Sequence, residues 1–189
     1  MVRQPRSTSQ EWNRAESESP TPAGNRPGGC GADFIVVQKP DTETLKALNG
    51  DITEKFRANA GQVGGRFEGH ELLLLTTIGA KSGRPRVSPL VVFRVDGKLL
   101  IVAGYGGADV IPAWVHNLRA NPQAHVELPT GSFHVVAREL DPTERDTVIP
   151  KINATTPAFA YANYQSQTAR TIPIFELMAD ESSGAPATS

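Results

Sequence analysis

Residues 72–90 read LLLLTTIGAKSGRPRVSPL, and this stretch decides the fold of the chain. Its opening run, Leu72–Thr77, is apolar, rich in strand-forming residues and followed by turn residues, which predicts a β-strand. Val87–Val95 predicts a second strand, in which Pro89 requires a sheet edge or a bulge because it has no backbone N–H. Between them, Gly79–Arg86 predicts a turn that carries three cations and no acid. The stretch therefore predicts two antiparallel strands joined by a basic loop.

The flanking segments predict more short strands, with helices between and around them. A helix is expected from about Asp41, with Asn49-Gly50 as a point that breaks or bends it. Asp96-Gly97 predicts a tight hairpin that returns through a strand at Lys98–Ala103. The other expected helices are Ile111–Ala120 with Pro112 in its first turn, one from its N-cap Asp141 toward Asn153, and one at about Ala158–Ala169. A hairpin of Ala124–Leu128 with Ser132–Leu140 and a last strand at Ile174–Met178 complete the predicted elements. This order predicts an α+β, mainly β fold, a small barrel with helices packed outside it.

Composition limits the classes of protein to which the chain can belong. The chain has 189 residues and a net charge of −1, which argues against a polybasic nucleic-acid binder. The single cysteine, Cys30, excludes an internal disulfide and a multi-cysteine metal site. Residues 1–32 lack Leu, Ile, Phe and Tyr, so we predict a disordered tail there and another at 179–189, around one domain at 33–178. No apolar run is long enough to span a bilayer, and a cytoplasmic location is the expectation.

The basic loop is the first candidate site. Its glycines let the backbone approach a ligand, and Lys81, Arg84 and Arg86 suit a phosphate or a carboxylate. A solvated hairpin loop without a ligand is the alternative that spacing alone leaves open. Gly83-Arg84-Pro85 also resembles the core of a minor-groove DNA hook, but the domain around it has no excess positive charge, so we expect no nucleic-acid binding.

Two further segments are candidates for a cofactor or a substrate. Gly104–Gly107 is a glycine-rich turn that suits either the edge of a cofactor or a plain connection. Tyr161 and Tyr164 lie three residues apart, so both can line one helix face, where phenols stack on rings and donate protons. A partly buried aromatic face is the alternative. The histidines show no metal-binding spacing, so we expect no metal, and the chemistry of an enzyme here would belong to a cofactor.

Taken together, these segments resemble the deazaflavin-dependent nitroreductase family, within the split β-barrel superfamily of flavin and deazaflavin oxidoreductases. The matching segments are Leu72–Leu90, Gly106-Gly107, Pro112–Pro122, Tyr161–Gln165 and Arg170–Pro173. The resemblance implies a split β-barrel of antiparallel strands with flanking helices. It also implies an oxidoreductase that transfers a hydride from reduced coenzyme F-420 to a quinone-like, nitroaromatic or other conjugated acceptor.

The resemblance also assigns roles to residues. Lys81 and Arg86, with Ser82, would hold the phosphate or the oligoglutamate tail of the coenzyme. The residues implied along and around the deazaflavin ring are Val87, Ser88, Pro89, Leu90, Val91, Val92, Gly104, Tyr105, Gly106, Gly107, Trp114 and Asn117. Tyr161 and Tyr164 would face the ring and the substrate as catalytic residues. Val91 and Gly104 stand where the nitro-reducing members carry Tyr and Ser.

Two alternative functions stay open at this point. An enzyme on the same barrel could use FMN in place of the deazaflavin, or the protein could bind the coenzyme for storage without catalysis. A homodimer is a reasonable expectation for a small split barrel with exposed edges. The sequence shows no transmembrane segment and leaves peripheral contact with a membrane open.

Overall fold

The ten helices and strands described here come from a computed structural model of the chain, which describes residues 42–180. The predicted tail at 1–32, the predicted start of the domain at 33 and residues 181–189 lie outside the described residues. The helices are α1 (Thr42–Ala58), α2 (Ala113–Ala120), α3 (Pro142–Thr155) and α4 (Tyr161–Gln165). The strands are β1 (Leu72–Ile78), β2 (Pro85–Val95), β3 (Lys98–Val102), β4 (Gln123–Leu128), β5 (Gly131–Glu139) and β6 (Ile174–Ala179). Single 3-10 turns lie at Gly65–Phe67, Tyr105–Gly107 and Pro157–Phe159.

The six strands form one closed antiparallel barrel in the order β1-β2-β3-β6-β5-β4. Alternate residues of each strand point inward, and the interior holds fully buried side chains such as Leu73, Leu75, Ile101 and Val126. The mainly β fold with flanking helices is confirmed. Among residues 42–180, no helix is long and apolar enough to cross a membrane.

Helix α1 covers the outer face of β1. Phe56 packs there against Leu72 and Leu74, whose side chains point out of the barrel, and Ile52 borders the same cluster. The predicted break at Asn49-Gly50 does not occur, and the helix is continuous from Thr42 to Ala58. One glycine costs a helix only about 1 kcal/mol, and burial of the apolar face after it offsets that cost.

Local turn signals in the sequence correspond to the observed turns. Asp96 and Gly97 have φ angles of 50° and 79°, the left-handed pair that a tight hairpin between β2 and β3 needs. Pro89 pairs only with Leu74 of β1, so it does lie at a strand edge. Asp141 caps α3, accepting a hydrogen bond from the backbone N–H of Glu144 at 2.9 Å.

Two helices differ from the predicted ones. The expected helix at Ala158–Ala169 is α-helical only at Tyr161–Gln165, because Ala160 is extended and the side-chain amide of Gln165 then bonds the carbonyls of Thr168 and Arg170. Pro112 is the N-cap of α2 and not part of its first turn. Strand β6 continues to Ala179, one residue into the segment predicted as the second tail.

Candidate functional site

The basic loop between β1 and β2 is folded on itself by backbone hydrogen bonds. The N–H of Gly79 donates to the carbonyl of Arg84 at 2.9 Å, and the N–H of Gly83 donates to the carbonyl of Gly79 at 2.8 Å. A Cβ on Gly79 would stand 2.5 Å from the hydroxyl of Ser82, so only glycine fits this position without a shift. The loop is therefore a defined turn with its cationic side chains on the outside.

Asn117 of α2 fastens this loop to the barrel. Its Oδ1 accepts a hydrogen bond from the N–H of Ala80 at 2.9 Å, and its Nδ2 donates to the hydroxyl of Thr77 at 2.9 Å. Asn117 and Thr77 are both buried. The sequence indicates that a buried Asn117 needs a partner, and the structure supplies two. This side chain acts on the loop backbone, where it fixes the direction in which the loop leaves β1.

In the part of the chain that the structure describes, the three loop cations have no acidic partner. Lys81, Arg84 and Arg86 are exposed, and within residues 42–180 none of them forms an ion pair. Other arginines of the barrel do form ion pairs, as in the contact of Arg94 with Glu71 at 2.7 Å. The loop therefore presents uncompensated positive charge, which favours an anionic ligand.

Beside the loop, the first half of β2 has an edge that is free of pairing among residues 42–180. Strand β3 pairs only with Val92–Val95, so β2 has one partner, β1, from Pro85 to Val91. The N–H of Val92 points toward β1, where it donates to Glu71. Because backbone groups alternate along a strand, the N–H groups of Val87 and Val91 point to the free side. From Arg86 to Val91 this edge measures about 17 Å.

The glycine-rich turn starts where β3 ends, near the far end of that free edge. Gly104 is buried, and a Cβ on it would stand 2.7 Å from the ring of Tyr164. The phenol ring therefore packs directly on the backbone of the turn. The hydroxyl of Tyr164 has no hydrogen-bond partner among the described residues. Burial raises the pKa of Tyr164, and the positive charge of Arg66 opposes that rise.

The structure gives the two tyrosines of α4 different environments. The ring of Tyr161 is buried in the barrel core, and its hydroxyl lies 2.9 Å from Oε1 of Gln165 and 3.2 Å from the carbonyl of Ile172. Burial also raises the pKa of Tyr161. Trp114 is likewise a core residue, edge-on to Phe175 with ring centroids 5.6 Å apart. Tyr164 is therefore the tyrosine of α4 with a free hydroxyl.

Sequence reasoning missed a cluster of aromatic and basic side chains around Phe159, of which Arg66 acts electrostatically on Tyr164. Arg66 lies over the ring of Phe67 at 4.6 Å, and Phe67 stacks on Phe159 with centroids 5.9 Å apart. His70 contacts the same Phe159 ring edge-on at 4.7 Å. An open cavity of about 530 Å³ adjoins this cluster at the start of β1. The glycines near Arg66 are the sequence signal that could have indicated this cluster, since glycines let the backbone of a loop approach a ligand closely.

A closed antiparallel barrel with flanking helices, and with a basic loop that has no acidic partner among residues 42–180, has the features expected of a split-barrel oxidoreductase. The sequence model of the F420H(2)-dependent quinone reductase family matches residues 50–178, so the chain belongs to this family of oxidoreductases. The resemblance found in the sequence is confirmed.

The chain is also similar to individual proteins. An F420H(2)-dependent quinone reductase of Mycobacterium tuberculosis is 38% identical over 128 residues, which cover 65% of this chain and 83% of that protein. A solved structure described as an F420-H2 dependent reductase is 37% identical. The match covers 56% of this chain and 92% of that chain, with a TM-score of 0.49. A second solved structure, described as a domain-swapped dimer, is 33% identical. The match covers 71% of this chain and 93% of that chain, with a TM-score of 0.50.

Proposed function

We propose that this protein transfers a hydride from reduced coenzyme F-420 to a quinone-like or other conjugated acceptor. The observation that carries the proposal is the continuity of the site: an uncompensated cationic loop, a free strand edge and a buried turn capped by Tyr164. These surfaces fit an elongated ligand, whose anionic end would lie at the loop and whose planar polar end would lie along the strand edge and the turn. The quinone reductase names of the relatives support the same reaction.

The cationic loop is the proposed site for the anionic end of the coenzyme. Lys81 and Arg86 would bind its phosphate and carboxylates, and the hydroxyl of Ser82 would add a hydrogen bond. Asn117 would hold the loop in place from behind through its bond to Ala80. Since the loop cations are exposed, this attraction is screened by salt.

The free edge of β2 is the proposed site for the ring. The N–H groups of Val87 and Val91 would meet its polar atoms, and the turn at Gly104–Gly107 would close over the other side. When bound, the reduced deazaflavin would supply a hydride, which is one proton with two electrons. A quinone that accepts the hydride takes up one further proton to become a hydroquinone.

Tyr164 is the proposed donor of that proton. Its hydroxyl is free of partners among residues 42–180, and burial raises its pKa, which keeps the phenol protonated at neutral pH. Tyr161 stays a predicted catalytic residue, but its hydroxyl is engaged with Gln165 and Ile172. Tyr164→Phe should therefore lower kcat more than Tyr161→Phe does, and equal losses would contradict the assignment of the proton to Tyr164.

Titration with the two candidate cofactors tests the proposal directly. The protein is titrated separately with coenzyme F-420 and with FMN, and oxidation of the reduced coenzyme by menadione is followed by absorbance. We expect binding of the deazaflavin and turnover with menadione. Binding of FMN alone would refute the proposal, and binding of the deazaflavin without hydride transfer would indicate a storage protein.

A further inference from the structure

The segment between α4 and β6 holds the glycine-rich turn from outside, and we call Gln167, Thr168 and Arg170 the clasp. The side chain of Gln167 occupies the space beside Gly107, where a Cβ would stand 2.6 Å from it. The hydroxyl of Thr168 donates a hydrogen bond to the carboxylate of Asp109. The C-terminal end of the turn is thus in contact with this segment.

Arg170 makes the most contacts within the clasp. Its Nε donates to the carbonyl of Ala108 at 3.1 Å, after the turn. Its Nη2 donates to the carbonyl of Ala103 at 2.9 Å and lies 3.4 Å from that of Gly104, before the turn. One rigid guanidinium therefore joins the two ends of the turn, which the single ammonium of a lysine cannot do with the same geometry.

The turn needs such support because its backbone is strained. Tyr105, Gly106 and Gly107 have φ angles of 48°, 63° and 80°, three consecutive residues in the left-handed region. For Tyr105, which carries a Cβ, this conformation is unfavourable and persists only when surrounding contacts enforce it. The carbonyls that Arg170 holds lie directly on either side of these residues.

The same contacts reach the proposed proton donor. Gly104 has its carbonyl near Arg170 and its Cα against the ring of Tyr164, so movement of Gly104 moves the surface on which that ring rests. The position of Tyr164 therefore depends on the clasp as well as on α4.

We propose that Arg170 is a positioning residue that sets the glycine-rich turn and, through Gly104, the Tyr164 ring at the end of the β2 edge. This inference rests on the proposed function for its kinetic consequences. Arg170 is half-buried, and this partial burial lowers its pKa while the charge of Asp109 opposes that effect. One of its nitrogens, Nη1, is buried without a partner in the described structure. If this position served stability alone, a side chain whose buried polar atoms all have hydrogen-bond partners would be more favourable there.

The first test measures the turn itself and needs no ligand. Amide hydrogen exchange at 104–108 is compared in the wild type, Arg170→Gln and Arg170→Lys, with Arg119→Gln as a control because Arg119 forms an exposed ion pair with Glu139. We expect exchange to rise about tenfold or more in Arg170→Gln, less in Arg170→Lys and not at all in the control. Unchanged exchange in folded Arg170→Gln would overturn the inference.

The second test separates positioning from binding. In Arg170→Gln we expect kcat with menadione to fall roughly 10- to 100-fold, because a shift of about 1 Å in a reacting group costs that much. The dissociation constant of the coenzyme should change less, since the cationic loop lies at the other end of the β2 edge. A fall in affinity with an unchanged kcat would overturn the inference.

The two tests also distinguish failure of the inference from failure of the proposed function. If the wild type does not oxidise the reduced coenzyme, the proposed function fails, and hydrogen exchange still decides the role of Arg170 in the turn. If Arg170→Gln does not fold, Arg170→Lys carries the comparison, with partial loss of kcat expected and wild-type kcat contradicting the inference.

Discussion

Gly104→Ala is the substitution that tests most directly how Tyr164 is placed. The backbone of Gly104 is right-handed, with φ of −65° and ψ of −38°, so alanine meets no backbone strain there. Its Cβ would stand 2.7 Å from Cδ2 and 2.8 Å from Cγ of Tyr164, whereas ordinary contacts begin at 3.4 Å. The ring must therefore retreat by about 0.7 Å or more, and overpacking of this kind costs about 1–3 kcal/mol.

The assay combines thermal unfolding with steady-state kinetics. We expect Gly104→Ala to lower Tm by about 3–9 °C and kcat by about tenfold or more, since the phenol is displaced from the reacting centre. The matched control is Gly50→Ala in α1, where a Cβ meets nothing within 4 Å and alanine favours the helix. That control should be neutral or stabilising, with unchanged kcat.

A double-mutant cycle identifies the cause of the loss. In a Tyr164→Ala background the clash is absent, so Gly104→Ala should cost little further stability there. If Gly104→Ala were as destabilising without the ring as with it, the clash would not be the cause. If it had wild-type Tm and kcat, the close packing of Tyr164 on the turn would be wrong.

Three further predictions concern the loop and its surroundings. Lys81→Ala with Arg86→Ala should weaken coenzyme binding, more strongly for longer glutamate tails and at low salt, as measured by fluorescence titration; equal affinity would show that the anion site lies elsewhere. Asn117→Leu should lower stability by about 1–3 kcal/mol in chemical denaturation because two buried hydrogen bonds are lost, and it should also weaken coenzyme binding through the loop. Arg138 lowers the pKa of Glu144 from 4.5 to about 2, so this pair stabilises the fold above pH 4.5 and loses that effect as the pH falls toward 2; Glu144→Gln should flatten that part of the curve of Tm against pH.

Local sequence signals predicted much of the fold. The left-handed pair at Asp96-Gly97, the cap at Asp141 and the edge position of Pro89 all depend on a few neighbouring residues, and all three are observed. The same reasoning failed at Asn49-Gly50, where packing of α1 on β1 overrides a weak local preference. The helix predicted around Tyr161 was also too long. It ends at Gln165, whose side-chain amide donates hydrogen bonds to the carbonyls of Thr168 and Arg170.

By itself, the sequence determined the strand pair around residues 72–95, the basic loop between its strands and the membership of the family, because these depend on residue types in a short fixed order. Only the tertiary structure decided which side chains are free to act. Closure of the barrel leaves the loop cations unpaired and gives Asn117 its partners. It also places Arg170 across a turn more than sixty residues earlier in the chain and leaves only Tyr164 of the α4 pair with an open hydroxyl. Such contacts join segments that are distant in sequence, so no local spacing encodes them.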